Sequence, residues 1–206
     1  LVGELATPLT KPIAATLITL HPLPTHGGFM DSHVLRKAAA RLPELADLAV
    51  LRFNTRGTES PRGKSEGSFG EGVHEEHDVR AAVEFARERG LPNPWLVGWS
   101  FGTELALKYG PDHQILGAIL LSPPLHRATR ADLERWVGSA KKLVALVPEF
   151  DVFGFVRERT GNIMPGITPS NTHTTRDGKH LIIGANGDAI FKRLMLAIGR
   201  TDLRSE

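Results

Sequence analysis

The chain has 206 residues, 41% hydrophobic and 23% charged, a length that suits one compact domain burying about 70% of its unfolded surface. It has no cysteine, which excludes disulfides, a thiolate nucleophile and cysteine metal sites. A net charge of only +2 without a Lys/Arg run argues against a nucleic-acid partner despite a pI of about 9.1, and no apolar run approaches the roughly 18 residues that span a bilayer.

Residues 1–12 alternate (Leu1, Gly3, Leu5) as an antiparallel edge strand would. No secretory signal is legible, so a cytoplasmic protein is expected. An opening at Leu1 rather than Met leaves room for residues upstream of that strand. Residues 13–20 are a continuous apolar run of strand length, the pattern of a strand covered on both faces. A loop dense in Pro and Gly follows, over 21–30. Asp31 or Ser32 is expected to cap the next helix, whose apolar face reads Val34, Leu35, Ala38 and Leu42. Residues 48–54 form the next strand, and a Gly-rich loop occupies 55–72. A helix from about 74 to 89 presents Val79, Ala82, Val83 and Ala86 on one face; Gly90 and Pro92 stop it. A strand from 94 and a helix from 101 meet at Ser100. Strands at 115–122 and 143–148, with a helix over 128–138, continue the alternation. Two or three short pieces cover 152–170. Residues 172–175 alternate weakly and read as the last strand, and Leu194, Met195 and Ile198 mark a closing helix. Strand–helix alternation predicts an α/β fold: a doubly wound, mostly parallel sheet in one domain over residues 1–206.

Gly98-Trp99-Ser100-Phe101-Gly102 stands at the sharpest of these joints. Glycine is required two residues either side of Ser100 because strand and helix backbones pass close together there. The serine itself is expected in a strained conformation that holds its hydroxyl out of the fold. The same five-residue pattern occurs at Gly63-Lys64-Ser65-Glu66-Gly67. No apolar strand precedes that copy and no helical period follows it, so context selects Ser100 over Ser65.

The Gly-x-Ser-x-Gly turn between a strand and a helix resembles the nucleophile elbow of the α/β-hydrolase family. The string His21-Pro22-Leu23-Pro24-Thr25-His26-Gly27-Gly28-Phe29-Met30 resembles a subgroup of small bacterial hydrolases, most of them assigned only as hydrolases or esterases. Arg52-Phe53-Asn54-Thr55-Arg56-Gly57 is similar to that subgroup's next loop, so the likeness spans roughly residues 3–200. It implies a chain order of serine, acid, histidine. Asp151, after the 143–148 strand, is implied as the acid by family pattern over its neighbour Glu149. His180, in a turn after the last strand, is implied as the base. His173 is the rival base, but it falls inside an alternating stretch; Asp177 is a turn former. The oxyanion donors follow from the same frame. One is the Phe101 N–H, at a helix N-terminus. The other lies in the first loop, where Pro22 and Pro24 carry no N–H and Leu23 is left as the donor. The fold's caps usually enter before the acid-bearing strand; only 123–141 lies there, so no sizeable cap is expected.

His74-Glu75-Glu76-His77-Asp78 places its histidines three apart, where a zinc helix wants four, and reads as a charged helix start. Trp95 reads as core, while Trp99 or Phe101 is a candidate pocket lining. No phosphate-binding glycine motif follows a strand, so no cofactor and no metal are expected. The expected activity is a serine hydrolase acting on a small-molecule ester or related acyl group, with no nucleic-acid or membrane partner.

Overall fold

The structure, a computed structural model, describes residues 1–147, 170–174 and 180–184. The chain divides into two compact units, Leu1–Val144 and Ala145–Glu206. In chain order the elements are β1 (Gly3–Ala6), β2 (Ala15–Leu20), α1 (His33–Ala46), β3 (Leu48–Phe53), β4 (Glu59–Ser60), β5 (Gly63–Lys64) and α2 (Glu76–Glu88). Then follow β6 (Pro94–Trp99), α3 (Phe101–Tyr109), β7 (Gly117–Leu121), α4 (Arg130–Val137), β8 (Lys142–Leu146), β9 (Ser170–Thr174) and β10 (His180–Gly184).

The main sheet has the order β1-β3-β2-β6-β7-β8. β1 is antiparallel to β3, whereas the β2–β3, β2–β6 and β6–β7 pairs are parallel. The central strands are apolar almost throughout because helices cover both faces. Ile18, Leu20, Val50 and Leu96 are buried in the sheet, with Leu35, Val79 and Leu105 packed on it from the helices. Between β7 and β8 the chain makes one short helix, α4, and no inserted cap. Trp136 is its one buried residue, and the indole N–H donates to the Leu107 carbonyl at 2.9 Å.

α2 buries the expected Val79, Ala82, Val83 and Ala86. α1 buries the expected Leu35 but otherwise a different face: Ala39 and Pro43 are inside, while Val34 is 41% exposed and Ala38 and Leu42 are half-buried. Apolar residues flank both sides of the stripe (Val34 beside Leu35, Ala38 beside Ala39), so the helical period has two phases of similar strength. The cap differs too. Ser32 is the N-cap residue, but its hydroxyl accepts the Phe29 N–H at 3.1 Å instead of a helix N–H. Asp31 is drawn to arginines, pairing with Arg52 and, at 2.8 Å, with Arg62. Within the Gly-rich 55–72 loop, β4 and β5 pair as a small antiparallel ribbon that composition alone does not reveal.

In the second unit β9 and β10 pair antiparallel, with His180 opposite Thr174. Residues 172–175 were expected to supply the last strand of the main sheet; β9 instead belongs to this separate two-stranded sheet. His180, expected in a turn, opens β10. The apolar Leu181-Ile182-Ile183 run that follows it has strand character, which the turn assignment overlooked. The short pieces over 152–169 and the closing helix around 194–198 lie outside the described residues.

Candidate active site

Ser100 sits between β6 and α3 with φ 52° and ψ −117°, a left-handed backbone that costs a non-glycine residue of order 1–3 kcal/mol. Its surroundings enforce that geometry. A Cβ on Gly98 would lie 2.4 Å from the Gly102 carbonyl oxygen, and one on Gly102 would lie 2.1 Å from that of Leu20. The Ser100 N–H donates to the Leu121 carbonyl at 2.8 Å. The Ser100 carbonyl accepts the Thr103 N–H at 2.9 Å and the Thr103 hydroxyl at 2.6 Å. The turn is therefore pinned on both sides. The side chain is half-buried, and among the described residues nothing hydrogen-bonds its hydroxyl. Phe101 is the first residue of α3, so its N–H has no acceptor within the helix, and the helix dipole favours negative charge beside it.

The candidate oxyanion loop leaves the sheet next to this turn, because Leu20 pairs with Gly98 across β2 and β6. The loop is tightly wound. The Leu23 carbonyl accepts N–H groups from His26 at 3.1 Å and Gly28 at 3.0 Å. A Cβ on Gly28 would lie 2.1 Å from the Pro22 carbonyl oxygen, so only glycine fits. No described group accepts from the Leu23 N–H.

His21 locks the base of the loop. It is 1% exposed; Nδ1–H donates to the Pro22 carbonyl at 2.7 Å, and Nε2 accepts the Thr55 N–H at 3.0 Å. Accepting from a backbone N–H leaves Nε2 unprotonated and fixes the tautomer. Burial pushes the imidazole pKa down to about 4, with the Pro22 hydrogen bond and the charge of Asp78 opposing the shift. His21 is thus a neutral strut, not a base.

The run Arg52-Phe53-Asn54-Thr55-Arg56-Gly57 turns out to be the brace behind that loop. Arg52 pairs with Asp31 and, at 2.8 Å, with Glu4. Asn54 Oδ1 accepts the Met30 N–H at 2.9 Å, holding the far end of the loop. Asp78 accepts from the Arg56 N–H at 2.8 Å and the Arg56 guanidinium at 3.1 Å. None of these partners is legible from the run alone; its one signal is a block of polar residues directly after an apolar strand. A second carboxylate, Glu75, is fully buried and accepts the N–H groups of Gly70 and Gly72, both at 2.7 Å, fixing the end of the Gly-rich loop.

Ser65, in the second copy of the motif, is 1% exposed. Its hydroxyl donates to the Asn54 carbonyl at 2.7 Å and accepts the Val2 N–H at 2.9 Å. Phe101, weighed as a pocket lining, is 1% exposed instead, its ring edge-on to Phe69 at 5.5 Å. The half-buried Phe69 and the Arg127 guanidinium, 5.5 Å from the ring centre, cover it. His77 lies 2.7 Å from an Arg80 nitrogen, and among the described residues no group of three metal-ligating side chains comes together.

Ser100, Phe101 and Leu23 thus share the C-terminal edge of the main sheet in the first unit. His180 belongs to the second unit, at the start of β10, and Asp151, like its rival Glu149, lies outside the described residues. Among the described residues no helix is long and apolar enough to cross a membrane.

Among solved structures, an alpha-beta serine hydrolase homologue from Coxiella burnetii is 29% identical, with a TM-score of 0.58 over 69% of this chain and 65% of that one. A serine hydrolase without lid from Xanthomonas campestris is 28% identical, with a TM-score of 0.55 over 70% of this chain and 77% of that one. A curated protein, the succinyl-CoA–D-citramalate CoA-transferase of Chloroflexus aurantiacus, is 36% identical over 125 residues, 57% of this chain. The matched region is 29% of that transferase's length. The alpha/beta hydrolase family matches over residues 20–187, a span that holds the strained serine turn and the loop that follows β2, and the chain belongs to that family.

Proposed function

We propose that the protein is a cofactor-independent serine hydrolase that cleaves a carboxylic ester through an acyl-enzyme. The Ser100 hydroxyl attacks the carbonyl, and His180 accepts its proton and returns it to the leaving alcohol. Asp151 holds His180 in orientation. The N–H groups of Phe101 and Leu23 take the oxyanion of the tetrahedral intermediate, and water releases the acid. The observation that carries this reading is the Ser100 turn: a non-glycine residue at φ 52°, pinned by backbone hydrogen bonds, with its hydroxyl unengaged among the described residues. Two N–H groups without described acceptors, on neighbouring strand ends, support it. So does the family match, whose span includes Asp151 and His180. The absence of an inserted cap between β7 and β8 favours short or terminally exposed acyl groups over long buried chains.

The test is labelling by a fluorophosphonate together with turnover of p-nitrophenyl esters of rising chain length. Labelling at Ser100 and a preference for short chains are expected. Wild-type protein that resists the probe and turns over no ester is instead a hydrolase-like binding scaffold.

A thioester is the second substrate reading, favoured by the CoA-thioester chemistry in the curated relative's name. The same serine chemistry serves both. Faster release of CoA from succinyl-CoA than of nitrophenol from p-nitrophenyl acetate, lost in Ser100→Ala, decides for the thioester.

A further inference from the structure

Glu104 lies in the first turn of α3 and is fully buried. One carboxylate oxygen accepts the backbone N–H of Arg127. The other lies 3.5 Å from the Arg127 guanidinium and has no hydrogen-bond partner among the described residues. A carboxylate in such a place is tolerated only because a cation faces it. Arg127 in turn lies against the residue next to Ser100: its guanidinium carbon is 5.5 Å from the centre of the Phe101 ring, which also meets Phe69 edge-on. The loop bearing Arg127 leaves β7 through two strained residues, Ser122 at φ 54° and Leu125 at φ 55°. Strain of that kind persists only where surrounding contacts fix the chain.

We propose that Glu104 is a positioning residue for the hydrolysis. Through Arg127 it clamps the loop after β7 onto the Phe101 side chain, and so holds steady the peptide that joins the nucleophile to its oxyanion donor. Glu104 itself touches no substrate. The proposal rests on Ser100 being the nucleophile. A buried ion pair that serves stability alone would give the same contacts, so the test must read more than stability.

Full-length Glu104→Gln, Glu104→Ala and Arg127→Ala are compared with wild type for kcat and KM on p-nitrophenyl acetate, fluorophosphonate labelling rate and Tm. Displacing a reacting group by about 1 Å costs up to roughly 100-fold in rate. Glu104→Gln, which keeps an oxygen for the Arg127 N–H but loses the charge, lowers kcat and labelling rate about 10-fold with KM within about twofold. Arg127→Ala does the same, and the double variant Glu104→Gln/Arg127→Ala loses no more than either single, because the two act as one clamp. Glu104→Ala loses about 100-fold; should it fail to fold, the glutamine variant still decides. A kcat within about twofold of wild type in Glu104→Gln or in Arg127→Ala overturns the proposal whatever happens to Tm, as do additive losses or an effect confined to KM. If instead Ser100→Ala keeps turnover and labelling, the nucleophile assignment itself falls, which the Glu104 variants alone cannot mimic.

Discussion

The two Gly-x-Ser-x-Gly motifs of this chain have the same pattern and opposite fates. At Ser100 the backbone is strained and the hydroxyl is left without a described partner, while at Ser65 both the proton and a lone pair of the hydroxyl are committed, to the Asn54 carbonyl and the Val2 N–H. Ser65 ties the N-terminal segment to the Gly-rich loop from a buried position. The difference teaches that a short motif acquires chemistry from the strand and helix that hold it, not from its letters. The glycines differ in the same way. Gly98 and Gly102 are where backbones nearly touch, whereas a Cβ on Gly67 would meet nothing nearer than the Arg56 Cβ at 3.4 Å.

The largest expected effect tests that contrast directly. Ser100→Ala should lower kcat by about 10⁴-fold or more and abolish fluorophosphonate labelling, as removal of a nucleophile does elsewhere; full esterase activity in that variant would break the comparison. Gly102→Ala comes next. Its methyl would collide with the Leu20 carbonyl, so either the elbow helix or β2 must move. A loss of about 3 kcal/mol or more is expected in chemical denaturation, accompanied by loss of activity. Gly67→Ala is the milder counterpart, strained by its φ of 89° but not by a backbone clash.

His21→Gln sharpens the comparison by asking whether the frame around Ser100 matters beyond the hydroxyl. A roughly 10-fold fall in kcat is expected as the Leu23 loop loosens. The pH dependence carries a sign. The folded imidazole titrates near 4 and the unfolded one near 6.5, so between those values only the unfolded chain binds the proton. Stability therefore falls as pH drops from 6.5 to about 4, by roughly 3 kcal/mol from this residue. Thermal melts across that window should show a shallower acid slope in His21→Gln; an unchanged slope would remove His21 as its source. The smallest effect belongs to Ser65→Ala. Labelling and kcat should stay within about twofold of wild type, while stability drops by about 1–3 kcal/mol because a buried N–H and a carbonyl lose their partner. Loss of labelling in Ser65→Ala alone would reverse the choice between the two motifs.

Much of the first unit could be read from residues alone, for a physical reason: its strands are covered on both faces and so appear as uninterrupted apolar runs, and α2 has one unambiguous apolar stripe. α1 was misphased because Val34 and Ala38 mimic the stripe one residue away from Leu35 and Ala39. The Gly-rich loop hid a ribbon because Glu59-Ser60 and Gly63-Lys64 carry no strand-forming side chains; the pairing rests on backbone bonds and on Ser65 being buried. The elbow was legible because two glycines and an apolar strand fix it locally. The supports of the candidate oxyanion loop and of the loop after β7 were not, since His21–Thr55, Asn54–Met30 and Glu104–Arg127 are contacts between residues 23 to 34 positions apart. Periodicity says nothing about such partners. The assignment of His180 to a turn failed on the neighbouring Leu181-Ile182-Ile183, whose strand character outweighed the Gly178 ahead of it.

The stretch between β7 and β8 is attached to the body by the Arg127 clamp, by the indole of Trp136, by Arg135 on Asp112 and the Lys108 carbonyl, and by Lys141 on the Pro111 carbonyl. Among these anchors Gly138 stands open: a Cβ there meets nothing within 4 Å. That leaves a natural splice point at residue 138, ahead of the β8 start that bonds to Leu116 and so at the sheet edge opposite Ser100. Foreign sequence grafted there, an affinity tag or a reporter domain for instance, would stand away from the serine turn and leave the groups around it seated.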